Sequence, residues 1–320
     1  MTKIICVGSS TQDIFLPTSE GKIIETPEEI TSKRKIAFEL GAKYKISERF
    51  ESLGGCSANV AAGLSRQGIA ASHYTAVGKD MIGEWIIQKH REEKIGTELL
   101  EVCDCKSDLS MILVDKNNGD RTIFHHKVAN EKFEFNPDKI INTEWIYVGD
   151  IFGDWEKVIL GIIDRAVPEK TLIAFNPRQS MIAGGDKKLL DFFGACEVVF
   201  LNKDEAIEIL LECNSKLDSE DEEYLLTELK KTGAAVIAIT DGERGAWAID
   251  GKEIVHVDAI RVDKVADMTG AGDAFASGFL AAYIKGESLE DCVRLGIKNG
   301  ASVVKFYGGI EGLLRESEIK

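Results

Sequence analysis

The chain has 320 residues, 44% hydrophobic and 29% charged, with 5 Pro against 30 Gly, a balance that excludes disordered, collagen-like and low-complexity classes. Its 39 Lys and Arg against 54 Asp and Glu leave a net charge of −15 at pH 7, which repels nucleic-acid phosphates and anionic membranes over most of the surface. An anionic ligand must therefore be held by local devices such as helix N-termini, backbone N–H nests, a metal ion or a placed Arg.

The first strand is expected over Lys3 to Gly8. Its apolar run is too brief for the hydrophobic part of a secretion signal, and the chain nowhere approaches the roughly 18 to 20 uninterrupted apolar residues of a membrane span. A cytoplasmic protein that engages neither membrane nor nucleic acid is the expectation. The seven cysteines (Cys6, Cys56, Cys103, Cys105, Cys196, Cys213, Cys292) are scattered, and Cys103-x-Cys105 has no second cluster with which to hold zinc. They are expected as reduced thiols.

Asp13, just past the first strand, is either a turn residue or a carboxylate that accepts hydrogen bonds from a pair of hydroxyls. From Ile23 to Leu53 the chain is charged and strand-like, with Ile36, Phe38 and Leu40 alternating with polar or small residues and the pattern returning at Tyr44 and Ile46. The diglycine of Leu53-Gly54-Gly55-Cys56-Ser57-Ala58-Asn59 opens a helix that runs to Arg66 and ends at Gly68. A strand at Ser72 to Val77 and a hairpin at Met111 to His126, turning at Asn117 to Asp120, come next. Further strands are expected at Trp145 to Gly149, Thr171 to Phe175, Val198 to Leu201 and Ala235 to Thr240. These runs are continuously apolar, as strands buried on both faces are, and they alternate with helices, which predicts an α/β chain with a mainly parallel sheet. The half-polar strands at Ile23 to Leu53 and Met111 to His126 break that rhythm, either as surface decoration or as a small separate sheet over a site.

Four segments carry chemistry. In Asp267-Met268-Thr269-Gly270-Ala271-Gly272-Asp273 two glycines let the backbone turn tightly into a helix, so that N–H groups and the positive end of a helix dipole converge where an anion would sit. Asp273 is a helix-terminal acid or, beside such an anion, a base that takes a proton from an attacking hydroxyl. Gly54 and Gly55 permit close backbone approach, and Asn59 presents an amide. Asn202 and Glu205, at i and i+3, are a capping box or a hard-oxygen pair for the waters of Mg²⁺. Thr240-x-Gly242-x-x-Gly245 is a strand followed by a glycine turn, and lacks the acidic residue expected of a dinucleotide fingerprint. Arg178, after Asn176 and Pro177, suits a phosphate or a sugar acid, or is a surface Arg. No P-loop pattern occurs.

Taken in order, these segments resemble the two signatures of the ribokinase-like, or PfkB-type, carbohydrate kinases, over nearly the whole chain. The resemblance implies one ribokinase-like α/β domain over residues 1–320, a doubly wound mainly parallel sheet flanked by helices, with a small β-sheet lid formed by about 14–52 and 108–128. It implies a kinase that moves the γ-phosphoryl group of ATP to a hydroxyl of a small sugar or sugar derivative, with Asp273 as base and the amides of Gly270, Ala271 and Gly272 as the anion hole. Asp13, Gly54, Gly55, Asn59 and Arg178 would hold the substrate, and Asn202, Thr240, Gly242, Gly245 and Asn299 the nucleotide. Glu205 would order Mg²⁺ through water, Asp267 and Thr269 a monovalent cation, usually K⁺, and the lid would pair two subunits in a homodimer. Cys56 stands where ribokinases carry Lys, which argues against ribose itself. Two other readings share the fold: a nucleoside kinase, with Phe15, Phe38 or Phe124 to stack a base, and a non-catalytic sugar or nucleotide sensor.

Overall fold

The structure is a computed structural model and describes residues 3–26, 34–116, 119–182, 187–213, 217 and 219–319. In chain order the first half holds strands β1 (Lys3–Val7), β2 (Thr11–Thr18), β3 (Lys22–Glu25), β4 (Arg34–Ala37) and β5 (Phe50–Gly54), helix α1 (Cys56–Arg66), β6 (Ala70–Gly78), α2 (Met81–Glu92), β7 (Leu100–Cys103), β8 (Leu109–Asp115), β9 (Arg121–His126) and β10 (Trp145–Val148). The second half holds α3 (Trp155–Glu169), β11 (Leu172–Phe175), α4 (Gln179–Ile182), α5 (Lys187–Phe193), β12 (Val198–Asn202), α6 (Lys203–Cys213), α7 (Glu222–Lys230), β13 (Val236–Thr240), β14 (Ala246–Ile249), β15 (Ile254–Val257), α8 (Ala271–Ile284) and α9 (Leu289–Val303). Nine strands make the main sheet in the order β15-β14-β13-β12-β11-β10-β1-β6-β7, parallel except at the β13-β14-β15 edge.

Period-two alternation divides the buried strand residues between two cores. Ile4, Cys6, Tyr147, Ala174, Phe200 and Ala238 face α1, α8 and α9. Ile5, Val7, Ile146, Val148, Phe175, Val199 and Ile237 face α3, α5 and α7. Each such aliphatic side chain contributes roughly 1.5–3 kcal/mol on burial, which is why these strands read as unbroken apolar runs.

A second sheet, β5-β2-β8-β9, takes β5, β8 and β9 largely from the two segments that break the βα rhythm and β2 from the chain before them, with β2 and β8 parallel and the other pairs antiparallel. Its strands begin at Thr11 and end at Gly54, wider than 14–52. The strand expected to continue through Phe38, Leu40, Tyr44 and Ile46 does not form. β4 stops at Ala37 after pairing with β3, and residues 38–49 carry no strand. Alternation alone makes no strand where no neighbouring strand takes up the backbone hydrogen bonds; here Gly41 turns at φ +81° and Leu40 is 99% exposed. The hairpin turn at Asn117 and Asn118 lies outside the described residues. Cys103 and Cys105, expected as thiols, are joined in a disulfide: a bend in which the Cys105 N–H donates to the Cys103 carbonyl at 2.9 Å brings the side chains together. Among the described residues no helix is long and apolar enough to cross a membrane.

Candidate active site

The N-terminus of α8 points at the mouth of the main sheet because Gly270 caps it at φ +77°, and a Cβ there would lie 2.5 Å from the Cα of Gly309. That turn sets Asp273 in the first helical turn, 7% exposed, where its Oδ2 accepts a 2.8 Å hydrogen bond from Asn59 Nδ2. Burial pushes the Asp273 carboxyl up to about 7; the neighbouring carboxylates of Asp150 and Asp13 also raise it, against hydrogen bonds from Asn59 and Cys56. A carboxylate that changes charge near neutrality is matched to general-base work. The amide row is shorter than expected: the Ala271 N–H donates to the Met268 carbonyl at 3.3 Å, so Gly270 and Gly272 remain for an anion. A Cβ on Gly272 would meet nothing within 4 Å, so the turn opens on free space.

Opposite lies the diglycine. A Cβ on Gly54 would fall 2.0 Å from the Asp13 carboxylate, and one on Gly55, which caps α1 at φ +96°, 2.4 Å from the Ser9 carbonyl. Only glycine lets the β5–α1 corner cross β2 so closely. Asp13 is buried, its carboxyl raised to about 6 mainly by burial, with a hydrogen bond from Ser110 opposing the rise. Its Oδ1 and the Oδ1 of Asn59 are buried acceptors with no partner. Two orphaned acceptors in one cleft suit a ligand that brings hydroxyl donors.

Across the second sheet, strand register places Ser52, Asp13, Ser110 and His125 in one row, on one face. Phe124, one residue on, belongs to the other face. Phe15 is fully buried against Tyr307, and Phe38 sits edge-on to Tyr44.

At the other end of the cleft Asn202 and Glu205 form a reciprocal capping box, Asn202 Oδ1 accepting from the Glu205 N–H at 2.8 Å and the Glu205 carboxylate from the Asn202 N–H at 2.9 Å. Thr240 ends β13, and the short helix Gly242–Arg244 follows. Gly242 (φ +47°) faces open space, whereas Gly245 (φ +98°) is packed where a Cβ would lie 2.1 Å from the Val257 carbonyl. Gly245 thus shapes the turn and touches strand β15. Asn299 is a correction: expected against adenine, it is 0% exposed, with Nδ2 donating to the Ala274 carbonyl (2.7 Å) and Ser277 Oγ (3.1 Å) and Oδ1 accepting from the Leu314 N–H (2.8 Å). It bolts α8, α9 and the C-terminal segment together.

The profile of the pfkB family carbohydrate kinases matches residues 1–315. The chain belongs to this family. It is 30% identical over 259 residues, 79% of its length and 98% of the relative's, to an uncharacterized sugar kinase of Archaeoglobus fulgidus. It is 27% identical over 309 residues, 96% of its length and 92% of the other's, to a nucleoside kinase of Methanocaldococcus jannaschii, whose crystal structure superposes on all of this chain and 97% of that one at TM-score 0.77. A ribokinase of Cryptococcus neoformans var. grubii solved with ADP shares the fold at TM-score 0.77 and 20% identity, covering 100% of this chain and 99% of that one. The ribokinase-like fold and phosphoryl transfer to an alcohol follow for this pfkB kinase.

Its residues fit magnesium but not a monovalent cation. The Glu205 carboxyl is lifted to about 7 by burial and by Glu208 and Asp204, with the Asn202 N–H opposing. Such an uncompensated set of hard oxygens suits Mg²⁺ held through water. Among the described residues no three metal-ligating side chains converge, so the ion would arrive with phosphates. Asp267 and Thr269, in contrast, are spent on each other: Asp267 Oδ1 accepts from the Thr269 N–H (3.1 Å) and Oγ1 (2.9 Å), and Oδ2 from the Gly308 N–H (3.5 Å). The Arg121 guanidinium of β9 stands 3.9 Å from the same carboxylate. The chain supplies this positive charge itself, and the expected K⁺ does not fit there.

Asp150, which the sequence offers as a polyol ligand or as loop surface, has a structural task here, and a histidine chain beside it escaped the sequence reading. Asp150 caps α1, accepting from the backbone N–H of Ser9 (3.2 Å) and Ser57 (3.4 Å) and from Ser9 Oγ. Ser57 Oγ lies 2.8 Å from His73 Nε2, His73 Nδ1 2.8 Å from His90 Nε2, and His90 Nδ1 2.8 Å from the Ile86 carbonyl. A carbonyl only accepts, so the His90 proton is on Nδ1, the His73 proton on Nδ1, and the Ser57 hydroxyl donates into the chain. Burial keeps both rings neutral, His90 lowered to about 4 and His73 well below its ordinary value. The only signal in the sequence was a pair of histidines next to apolar runs, which does not reveal a contact 17 residues apart.

Proposed function

We propose that this pfkB kinase uses ATP to phosphorylate a hydroxyl of a small sugar-like compound in the cytoplasm, where ATP is available, and that it works as a homodimer joined through the second sheet. Asp273 carries the reading, as a buried carboxylate poised near neutrality beside the open α8 turn. The acceptor's hydroxyls are held by Asp13 and Asn59, admitted by the closeness that Gly54 and Gly55 allow, with Arg178 at its far end. Asp273 takes the proton from the attacking hydroxyl, and the Gly270 and Gly272 amides receive the charge on the transferred group, so that positioning and electrostatics supply the acceleration. Thr240 and Gly242 bound the nucleotide's space. Asn202 and Glu205 hold Mg²⁺ through water, and the ion neutralises phosphate charge.

A sugar fits better than a nucleoside. Of the three phenylalanines considered for stacking, Phe124 lies on the outer face, Phe15 is buried and Phe38 is occupied by Tyr44. For the dimer, the support is the run of exposed apolar side chains between β3 and β5, next in the chain to the second sheet: Ile23, Ile24, Phe38, Leu40, Tyr44 and Phe50.

An ADP-release assay over sugars and nucleosides tests the reading. Turnover on a sugar, reduced at least ~10²-fold in Asp273→Asn while nucleotide binding persists, is the expected result. Ligand binding without turnover on any compound marks a sensor instead, and an Asp273→Asn enzyme of nearly full activity removes the base.

A further inference from the structure

Three residues from separate parts of the chain meet around one ring. Phe152 follows the C-terminal end of β10, Arg178 the C-terminal end of β11, and Lys127 leaves the end of β9. Lys127 Nζ lies 3.9 Å and Arg178 Cζ 3.7 Å from the centroid of the buried Phe152 ring. Both cations are half-buried, and among the described residues neither has a carboxylate within ion-pair distance.

Two like charges on one ring repel each other, and the ring's quadrupole offsets only part of that cost. In a chain of net charge −15 carboxylates abound, yet these two cations are kept clear of them. Nor do they cancel the acids of the cleft, since Asp13 stays raised to about 6 and Asp273 to about 7 although Lys127 acts on Asp13. Their field does reach His125, whose charged form both disfavour, so positive potential gathers at the end of the Ser52–Asp13–Ser110–His125 row. Lys127, just past the end of β9, acts electrostatically on both Asp13 and Cys56, which puts it beside the cleft. The ends of β10 and β11 are where an open parallel sheet takes its ligands.

We infer that Lys127 and Arg178, braced on Phe152, form an anion subsite, and that the acceptor is a polyhydroxylated compound bearing a carboxylate or phosphate at the end away from the reacting hydroxyl. This rests on the kinase reading and narrows its substrate. A neutral sugar or nucleoside has no use for two unpaired cations. Asp13 and Asn59 take hydroxyls, and the cation pair takes the charge.

Gluconate, fructose 6-phosphate, fructose and cytidine serve as probes, in two measurements: ADP release by the wild type, and calorimetric binding to Asp273→Asn, which does not depend on turnover. Preference for gluconate or fructose 6-phosphate over fructose and cytidine by tenfold or more is expected, and which anion leads tells carboxylate from phosphate. Lys127→Ala and Arg178→Ala should each raise KM for the preferred anion tenfold or more with a smaller change in kcat. Lys127→Arg should recover part of the loss, and ADP affinity should hold in every variant as the control for folding. Binding of an anion that these substitutions abolish supports the subsite even if no probe is turned over, and then it is the kinase reading that falls. Efficient turnover of fructose or cytidine, unchanged in both Ala variants, overturns the subsite and leaves the kinase standing. Failure of both anions to bind also overturns it.

Discussion

Asp273 and Asn59 are 214 residues apart in the chain and 2.8 Å apart in the fold, and their hydrogen bond favours the ionised carboxyl against the burial that raises it. As the proposed base, Asp273 has to be ionised to accept a proton, and with its carboxyl pushed up to about 7 kcat/KM should fall as pH drops through about 7. Asn59→Ala removes a donor that favours the ionised form, so the acid limb of the profile should move to higher pH. An unmoved limb would show that another group governs it. Gly54, Gly55 and Gly270 were legible in the sequence because their conformations admit few alternatives: a positive φ, or a neighbour at 2.0 to 2.5 Å from an added Cβ, writes glycine into the chain. Lys127 and the Ser57–His73–His90 chain were not, and Asp150 stood open between polyol ligand and loop surface, because each takes its meaning from a residue remote in sequence, and no local pattern marks it.

At the scale of elements, the parallel strands were legible from unbroken apolar runs, while the stretch through Phe38 and Tyr44 misled, since alternation describes a strand's faces and says nothing of its neighbours. The α8–α9 pair shows the same limit in a helix. Gly278 and Gly296 let the two helices approach until an added Cβ would lie 2.9 Å from the Leu295 carbonyl or 2.6 Å from the Phe275 ring, and Asn299 fills the polar need that remains. Asn299→Ala strips partners from the Ala274 carbonyl and the Leu314 N–H, each buried loss costing about 1–3 kcal/mol. The variant should melt several degrees lower yet bind ATP with unchanged affinity. Weakened ATP binding with an unchanged melting temperature would return Asn299 to the nucleotide site.

For the molecule as a whole, the proposal gives two neighbouring parts separate tasks, the Ser52–Asp13–Ser110–His125 face of the second sheet meeting the acceptor and the exposed apolar residues between β3 and β5 joining two subunits. Sedimentation should find a dimer at micromolar concentration, and Leu40→Asp with Phe50→Asp should shift it toward monomer; a monomeric wild type would remove the dimer. One junction ties this sheet to the chemistry. Tyr307 stacks on Phe50 at 4.7 Å, a Cβ on Gly308 would strike Ser52 at 2.5 Å, and one on Gly309 would strike Asn59 at 2.5 Å, while Gly309 itself presses on Gly270. Three consecutive residues thus join the second sheet to the turn before α8. If the proposed acceptor shifts that sheet, the shift should reach the Gly270 and Gly272 amides, and water, too small to do the same, should leave ATP unspent. Gly308→Ala, whose Cβ would meet Ser52, should then raise the share of ATP lost to water relative to ATP transferred, and an unchanged share would show the junction to be passive.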